Sequence, residues 1–185
     1  MMRLFTAIKV QPGIRFLELL SKLQQSLHYD RIKWVETGNI HITLRFFGET
    51  PEIELKKIIP ALERSVTGHK PFEITLKDIG IFGSSYNPRV IWCGIEHSLP
   101  LQALAKSHFL ELEKAAFPGD RQNFVPHLTL GRIKSIGNKN HFQDVIRSHQ
   151  PGVIQQVPVK EIILFESILR REGPEYRVVE RVEMG

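Results

Sequence analysis

The 185 residues suffice for one domain or two closely packed lobes, which bury about two-thirds of the unfolded surface without a covalent staple. Hydrophobic content of 42%, charged content of 24% and a single cysteine describe an ordinary globular chain in a reducing compartment and exclude an internal disulfide framework. No apolar run approaches the roughly 20 residues of a membrane span, the opening MMRLFTAIKV lacks the parts of a signal peptide, and a net charge of +5 leans only mildly toward anionic partners. A cytoplasmic protein with no membrane contact is expected.

Residues 3–10 read as a first strand. Pro12 suits a helix start, and Phe16, Leu20, Leu23 and Leu27 follow at helical spacing. Residues 32–35 form a short extended piece before the Gly38-Asn39 turn signal, and residues 40–47 form the next strand, which Gly48 ends. A helix from about Pro51 carries a stripe of Leu55, Ile59, Leu62 and Val66, which Pro60 should kink or split. Residues 72–79 alternate as a strand.

The second half repeats that order. Residues 89–95 are a strand, and a helix over about 101–116 turns Leu101, Leu104, Ala105, Leu112 and Ala115 inward. Pro126 leads into a strand ending near Ile133; a weaker helix covers 139–148, residues 157–165 are a strand, and 176–182 close the chain as another. The unit strand–helix–strand–helix–strand is thus duplicated within one domain over 1–185, with halves of about 1–83 and 88–185 parted at Gly83-Ser84-Ser85-Tyr86-Asn87-Pro88. A doubly wound parallel sheet is the rival pattern, but no Gly-rich phosphate loop supports it.

Each half carries one copy of a short pattern: His41-Ile42-Thr43-Leu44 and His127-Leu128-Thr129-Leu130, 86 residues apart. On a strand, residues i and i+2 share a face. Each copy therefore sets an imidazole beside a hydroxyl, with Ile42, Leu44, Leu128 and Leu130 anchoring the opposite face. A lone His-x-Thr means little, since Thr is a good strand former; repetition at equivalent positions is what singles out His41 and His127. The remaining histidines (His28, His69, His97, His108, His141 and His149) lack that pairing, and His108 reads as a partly buried core residue. Beside the histidines, the hydroxyls of Thr43 and Thr129 can donate to phosphate oxygens.

Arg45 and Phe47 share parity with His41; Arg45 reads equally as a rim charge or a ligand, and Phe47 offers a face for a base to stack on. Arg132, five residues after His127, falls on the opposite face by strict alternation, but Gly131 permits a bulge that would re-aim it, so parity leaves it open. Cys93, within Ile91-Trp92-Cys93-Gly94, reads as a small buried residue. Two histidines lack the third ligand of a zinc site, and Thr stands where a metal would want His, Cys or carboxylate. No metal and no cofactor is expected.

These motifs, the first continuing as His41-Ile42-Thr43-Leu44-Arg45-Phe46-Phe47-Gly48-Glu49, resemble the two-histidine phosphoesterase superfamily. The chain is most similar to its RNA 2′,3′-cyclic phosphodiesterases, also called 2′–5′ RNA ligases (LigT type). Further likeness lies in Arg3-Leu4-Phe5, Pro88-Arg89-Val90-Ile91-Trp92, Pro126 through Arg132, and Leu164-Phe165-Glu166-Ser167 with Gly173 and Tyr176. The resemblance implies a bilobal, duplicated α+β fold: two antiparallel sheets facing a central cleft, with helices outside. It implies His41 as general acid, His127 as general base, and Thr43, Thr129 and Arg132 as phosphate contacts. The implied substrate is RNA ending in a 2′,3′-cyclic phosphate, tRNA fragments included, opened to a 2′-phosphate by a monomeric enzyme, with reversible 2′–5′ ligation as a further reaction. The motifs' symmetry leaves open which histidine is the acid. Two alternatives stand beside this reading: a non-catalytic RNA-end binding module, and a phosphodiesterase acting on a small cyclic nucleotide.

Overall fold

The computed structural model describes residues 1–84, 86–119 and 124–185; within them nine strands and four helices build a mixed α/β fold on one curled antiparallel sheet. In chain order these are β1 (Met2–Lys9), α1 (Ile14–Ser26), β2 (Arg31–Trp34), β3 (His41–Thr50), α2 (Leu55–Val66), β4 (Phe72–Gly83) and β5 (Pro88–Ile95). There follow α3 (Leu99–Lys114), β6 (His127–Ser135), α4 (Lys139–Ser148), β7 (Val153–Val159), β8 (Glu161–Leu169) and β9 (Pro174–Glu183). Ser85, within the expected boundary between halves, lies outside the described residues.

The strand order is β7-β4-β5-β6-β3-β1-β8-β9, with β2 also on β6. This corrects the expectation of two separate sheets: hydrogen bonding makes a single one, although its halves meet at one residue pair, Ile42 with Leu128. Both side chains are fully buried, each burial worth ~1.5–3 kcal/mol. The apolar residue between His and Thr in each motif therefore joins the halves by packing more than by a long ladder. Beyond that pair the strands part. β3 runs on against β1, while β6 takes β2 at the same edge, with Trp34 opposite Gly131 and Val35 N–H donating to the Leu130 carbonyl at 2.8 Å. The opening between the diverging strands is a cleft.

Outward from the seam, β3 and β6 are followed by β1 and β5, then β8 and β4, then β9 and β7. The sheet is thus approximately two-fold symmetric, and β4 and β8 each pair with the first strand of the other sequence half. That exchange explains another correction. The strand expected over 157–165 is two, β7 on β4 and β8 on β1, broken at Lys160 where the chain passes between halves.

The helices cover one sheet face. α1 buries Phe16, Leu19, Leu20 and Leu23, and α2 buries Ile58, Ala61, Leu62, Ser65 and Val66. Pro60 does not split α2: a 3-10 turn, Glu52–Glu54, leads in, and one helix carries through. α3 and α4 start on side-chain caps, Ser98 accepting from Leu101 N–H and Asn138 from His141 N–H. His108 of α3 is 2% exposed. Its Nε2 lies 2.8 Å from the Thr6 hydroxyl of β1, and its Nδ1 lies 3.4 Å from Ser65 of α2. Burial, then the Arg45 charge, lower its pKa to about 4, so it is a neutral structural bridge. On the other face Phe5, Ala7, Ile163 and Phe165 form a second, smaller core capped by Tyr176.

Candidate active site

His41 opens β3 and His127 opens β6. Extending the Ile42–Leu128 pairing by one residue each way sets His41 across from Thr129 and Thr43 across from His127. Ile42, Leu128 and Leu130 point into the helix-covered core, so the histidines and threonines face the cleft. His41, Thr43, Thr129 and Arg132 line one cavity of about 480 Å³. His127 stands beside this group, near enough for its charge to act on His41.

The imidazoles are held alike. Nδ1 of His41 donates to the Asn39 carbonyl at 2.6 Å, and Nδ1 of His127 donates to the Val125 carbonyl at 2.8 Å. In each case the acceptor lies two residues earlier, and a carbonyl can only accept. Each ring thereby keeps its proton on Nδ1 when neutral and leaves Nε2 for other work. Their packing differs. His41 rests on an aromatic floor, 5.1 Å from the Phe5 ring and edge-on to Tyr176 at 5.3 Å. His127 meets the Phe82 ring edge-on at 4.7 Å. Burial pushes the His41 pKa below its usual value of 6.5, the Asn39 carbonyl raises it, and the charges of Arg132 and His127 lower it further.

Arg132 reaches the cavity because β6 bulges. Against β5 the register passes from Trp92–Thr129 to Ile91–Gly131, leaving Leu130 unmatched, so alternation is reset and Arg132 faces the cleft with Thr129. Gly131 is required there: a Cβ would come within 2.7 Å of Ile32 Cγ2 and 3.0 Å of the Trp34 ring. The same device occurs in β3. Against β1 the register passes from Ala7–Thr43 to Thr6–Arg45, leaving Leu44 unmatched.

That bulge corrects two expectations. Phe47 turns away from the cleft and packs edge-on against Phe117 at 5.7 Å. Phe46 takes its place on the cavity wall, 59% exposed. Arg45 also leaves the cleft, its guanidinium donating to the Phe117 and Pro118 carbonyls after α3. Nor does Gly48 end the strand: β3 runs on to Thr50, with a second register shift beside Gly48 at φ +73°. The two motif strands therefore present equivalent sets, His41, Thr43 and Phe46 facing His127, Thr129 and Arg132. Position five after the histidine is aromatic in one half and cationic in the other.

Sequence reasoning did not place Lys33, Lys134, Arg170, Glu36 and Glu172 on the cavity wall. Arg170 is paired with Glu175 at 2.9 Å; Lys33, Arg132 and Lys134 have no ion-pair partner among the described residues. The cavity thus carries free positive charge suited to an anion. Cys93 is buried, and desolvation pushes its thiol up to about 12, which makes it no nucleophile. Among the described residues no three His, Cys, Asp or Glu side chains gather as a metal site would require.

A family model described as LigT like phosphoesterase matches residues 10–92. An RNA 2′,3′-cyclic phosphodiesterase of Methanocaldococcus jannaschii is 38% identical over 178 residues, covering 96% of this chain and 98% of that one. Another, from Methanothermobacter thermautotrophicus, is 33% identical over 180 residues and 96% of each chain. A crystal structure from Thermus thermophilus superposes with a TM-score of 0.77 at 29% identity, covering 99% of this chain and 98% of that one.

Proposed function

The chain belongs to the LigT-like phosphoesterases and is a phosphodiesterase, and on that premise we propose that it opens RNA 2′,3′-cyclic phosphate ends to 2′-phosphates by paired-histidine catalysis. The observation that carries this reading is the matched pair of imidazoles, each with Nδ1 donating to a carbonyl and Nε2 left available. A neutral Nε2 takes a proton from water as the water oxygen bonds to phosphorus. A protonated Nε2 gives one to O3′ as the P–O3′ bond breaks, so the two protons balance. Each such transfer is typically worth ~10²–10⁴-fold. Thr43 and Thr129 hydroxyls and the Arg132 guanidinium donate to the non-bridging oxygens as charge builds on them. Phe46, exposed on the wall above Phe5, offers the terminal base a stacking face, the part that alternation gives to Phe47. Reversible 2′–5′ ligation is the same chemistry with a ribose hydroxyl in place of water.

The roles of His41 as acid and His127 as base follow the family resemblance, and the electrostatics add a condition. In the free protein burial and Arg132 favour neutral His41. A phosphodiester anion between Arg132 and His41 offsets that cation and favours the imidazolium. His41 should therefore titrate below 6.5 in the free protein and move upward when inorganic phosphate or a 2′-nucleotide is added, read from its ring proton by NMR. A His41 titration that phosphate leaves unmoved would pass the acid role to His127.

The test of the reaction is a panel of 2′,3′-cyclic phosphates, mononucleotide to oligonucleotide, with the product's phosphate position assigned and exhaustive EDTA present throughout. Turnover to the 2′-phosphate should persist under chelation, because the protein's own imidazoles carry both protons. Activity abolished by EDTA and restored by zinc or manganese would sink the two-histidine mechanism. Binding of a 2′-phosphate end without turnover would make the chain an RNA-end binding module.

A further inference from the structure

We propose that the groove beside the active-site cavity is a second nucleotide-binding site, which holds the RNA strand upstream of the cyclic phosphate; this rests on the phosphodiesterase reading above. The groove has a volume of about 310 Å³ and is lined by Tyr86, Arg89, Lys134 and Lys139, with Asn87, Ser135 and apolar residues between them. Lys134 lines both this groove and the active-site cavity, so the two adjoin at that side chain.

The lining has the chemistry of a single-strand track. Three cations and no acid face the groove, and none of the three is held in an ion pair among the described residues. Tyr86 is 79% exposed, which leaves its ring open to a base. A cationic groove that follows the backbone, with an aromatic face for stacking, binds single-stranded nucleic acid with little regard to sequence.

Placement gives the track a direction. Arg132 and Lys134 stand two residues apart on β6 and both face the cavity, hence ~6.8 Å apart along the strand. A reacting phosphate at Arg132 leaves the terminal ribose's 5′ side to run past Lys134. The next phosphate then meets Arg89 and Lys139, and the next base meets Tyr86. The opposite wall offers Phe46, Pro174 and Tyr176 as surfaces for a base, and the arginine beside them, Arg170, is already paired with Glu175. The preferred substrate is therefore an oligonucleotide end, and a cyclic mononucleotide fills only half the site.

The experiment compares kcat/KM for a trinucleotide and a mononucleotide 2′,3′-cyclic phosphate across salt concentrations. The wild-type ratio should be at least ~10 at low salt. It should fall as salt rises, with a log–log slope steeper by ~0.7 for each extra phosphate neutralised. Arg89→Ala with Lys139→Ala should bring the ratio near one and remove the extra salt slope. Tyr86→Ala should lower the ratio ~5-fold or more and leave the salt slope in place. All three side chains are exposed, so the variants should fold. A wild-type ratio near one, or a ratio unchanged in the double variant, overturns the groove assignment while leaving the enzyme reading intact. Turnover of neither substrate overturns the enzyme reading itself, and the groove assignment with it.

Discussion

His41→Ala and His127→Ala should each lower kcat on a cyclic-phosphate-ended oligonucleotide by at least ~10²-fold, the value of one positioned proton transfer. Binding of a 2′-phosphate product should stay within several-fold, because in the proposed mechanism Thr43, Thr129 and Arg132 hold the phosphate without either ring. The double variant should be little worse than either single one. Once one proton has no carrier, the second histidine has no transition state left to stabilise. His41 also fills space above Phe5 and beside Tyr176, so its alanine variant loses packing as well. His41→Asn separates the two effects: it restores part of the volume and still cannot carry the proton, so stability should recover and kcat should not. Single variants that turn over at the wild-type rate would make both histidines structural.

The sequence made the motif positions legible because strand alternation acts locally and the same four-residue pattern stands in the chain twice. Parity alone places His41, Thr43, His127 and Thr129 on one face, and parity holds up to the fourth residue of each motif. There it fails, because each strand inserts an unmatched leucine, Leu44 or Leu130. Gly131 left a trace of the second bulge, since glycine between a leucine and an arginine is out of place in a packed strand. The first bulge left none. Leu44-Arg45-Phe46-Phe47 contains no glycine or proline, so the alternation pattern chose Phe47 where the fold uses Phe46.

The sheet count failed for a different reason. Separate sheets and one sheet parted at a seam have nearly the same strands, and they differ here by the single pair Ile42–Leu128. The passage at Lys160 was hidden likewise. Apolar residues recur from Val157 through Phe165 with only Lys160 and Glu161 at the break, and the change of partner from β4 to β1 is a tertiary fact. Lys33 could not be placed on the wall because β2 joins β6 across about 100 residues of sequence, a pairing that no local pattern encodes, and Lys134, two residues after Arg132, shares the face that the Leu130 bulge sets.

Arg132→Ala should lower kcat/KM by roughly 10–10³-fold, the cost of removing one preorganised donor from a developing anion. The free enzyme's pH profile should be a bell whose two apparent pKa values belong to the histidine pair, not to one residue each. Arginine does not titrate in this range, so the bell must survive the substitution with a lower amplitude. Its position should move. Arg132 is one of the charges that hold His41 below its usual value, and removing a neighbouring cation makes an imidazole easier to protonate. The bell should therefore shift toward higher pH. Arg132→Lys should recover part of the rate and most of the shift, since it keeps the charge and loses the two-pronged donor. Thr43→Val removes a neutral donor at constant shape, and should cost less than Arg132→Ala and move neither limb. An Arg132→Ala enzyme at full activity would mean that the bulge at Leu130 turns the side chain toward the cleft for packing alone. A flat pH profile, measured where chemistry limits the rate, would reject paired acid–base catalysis altogether.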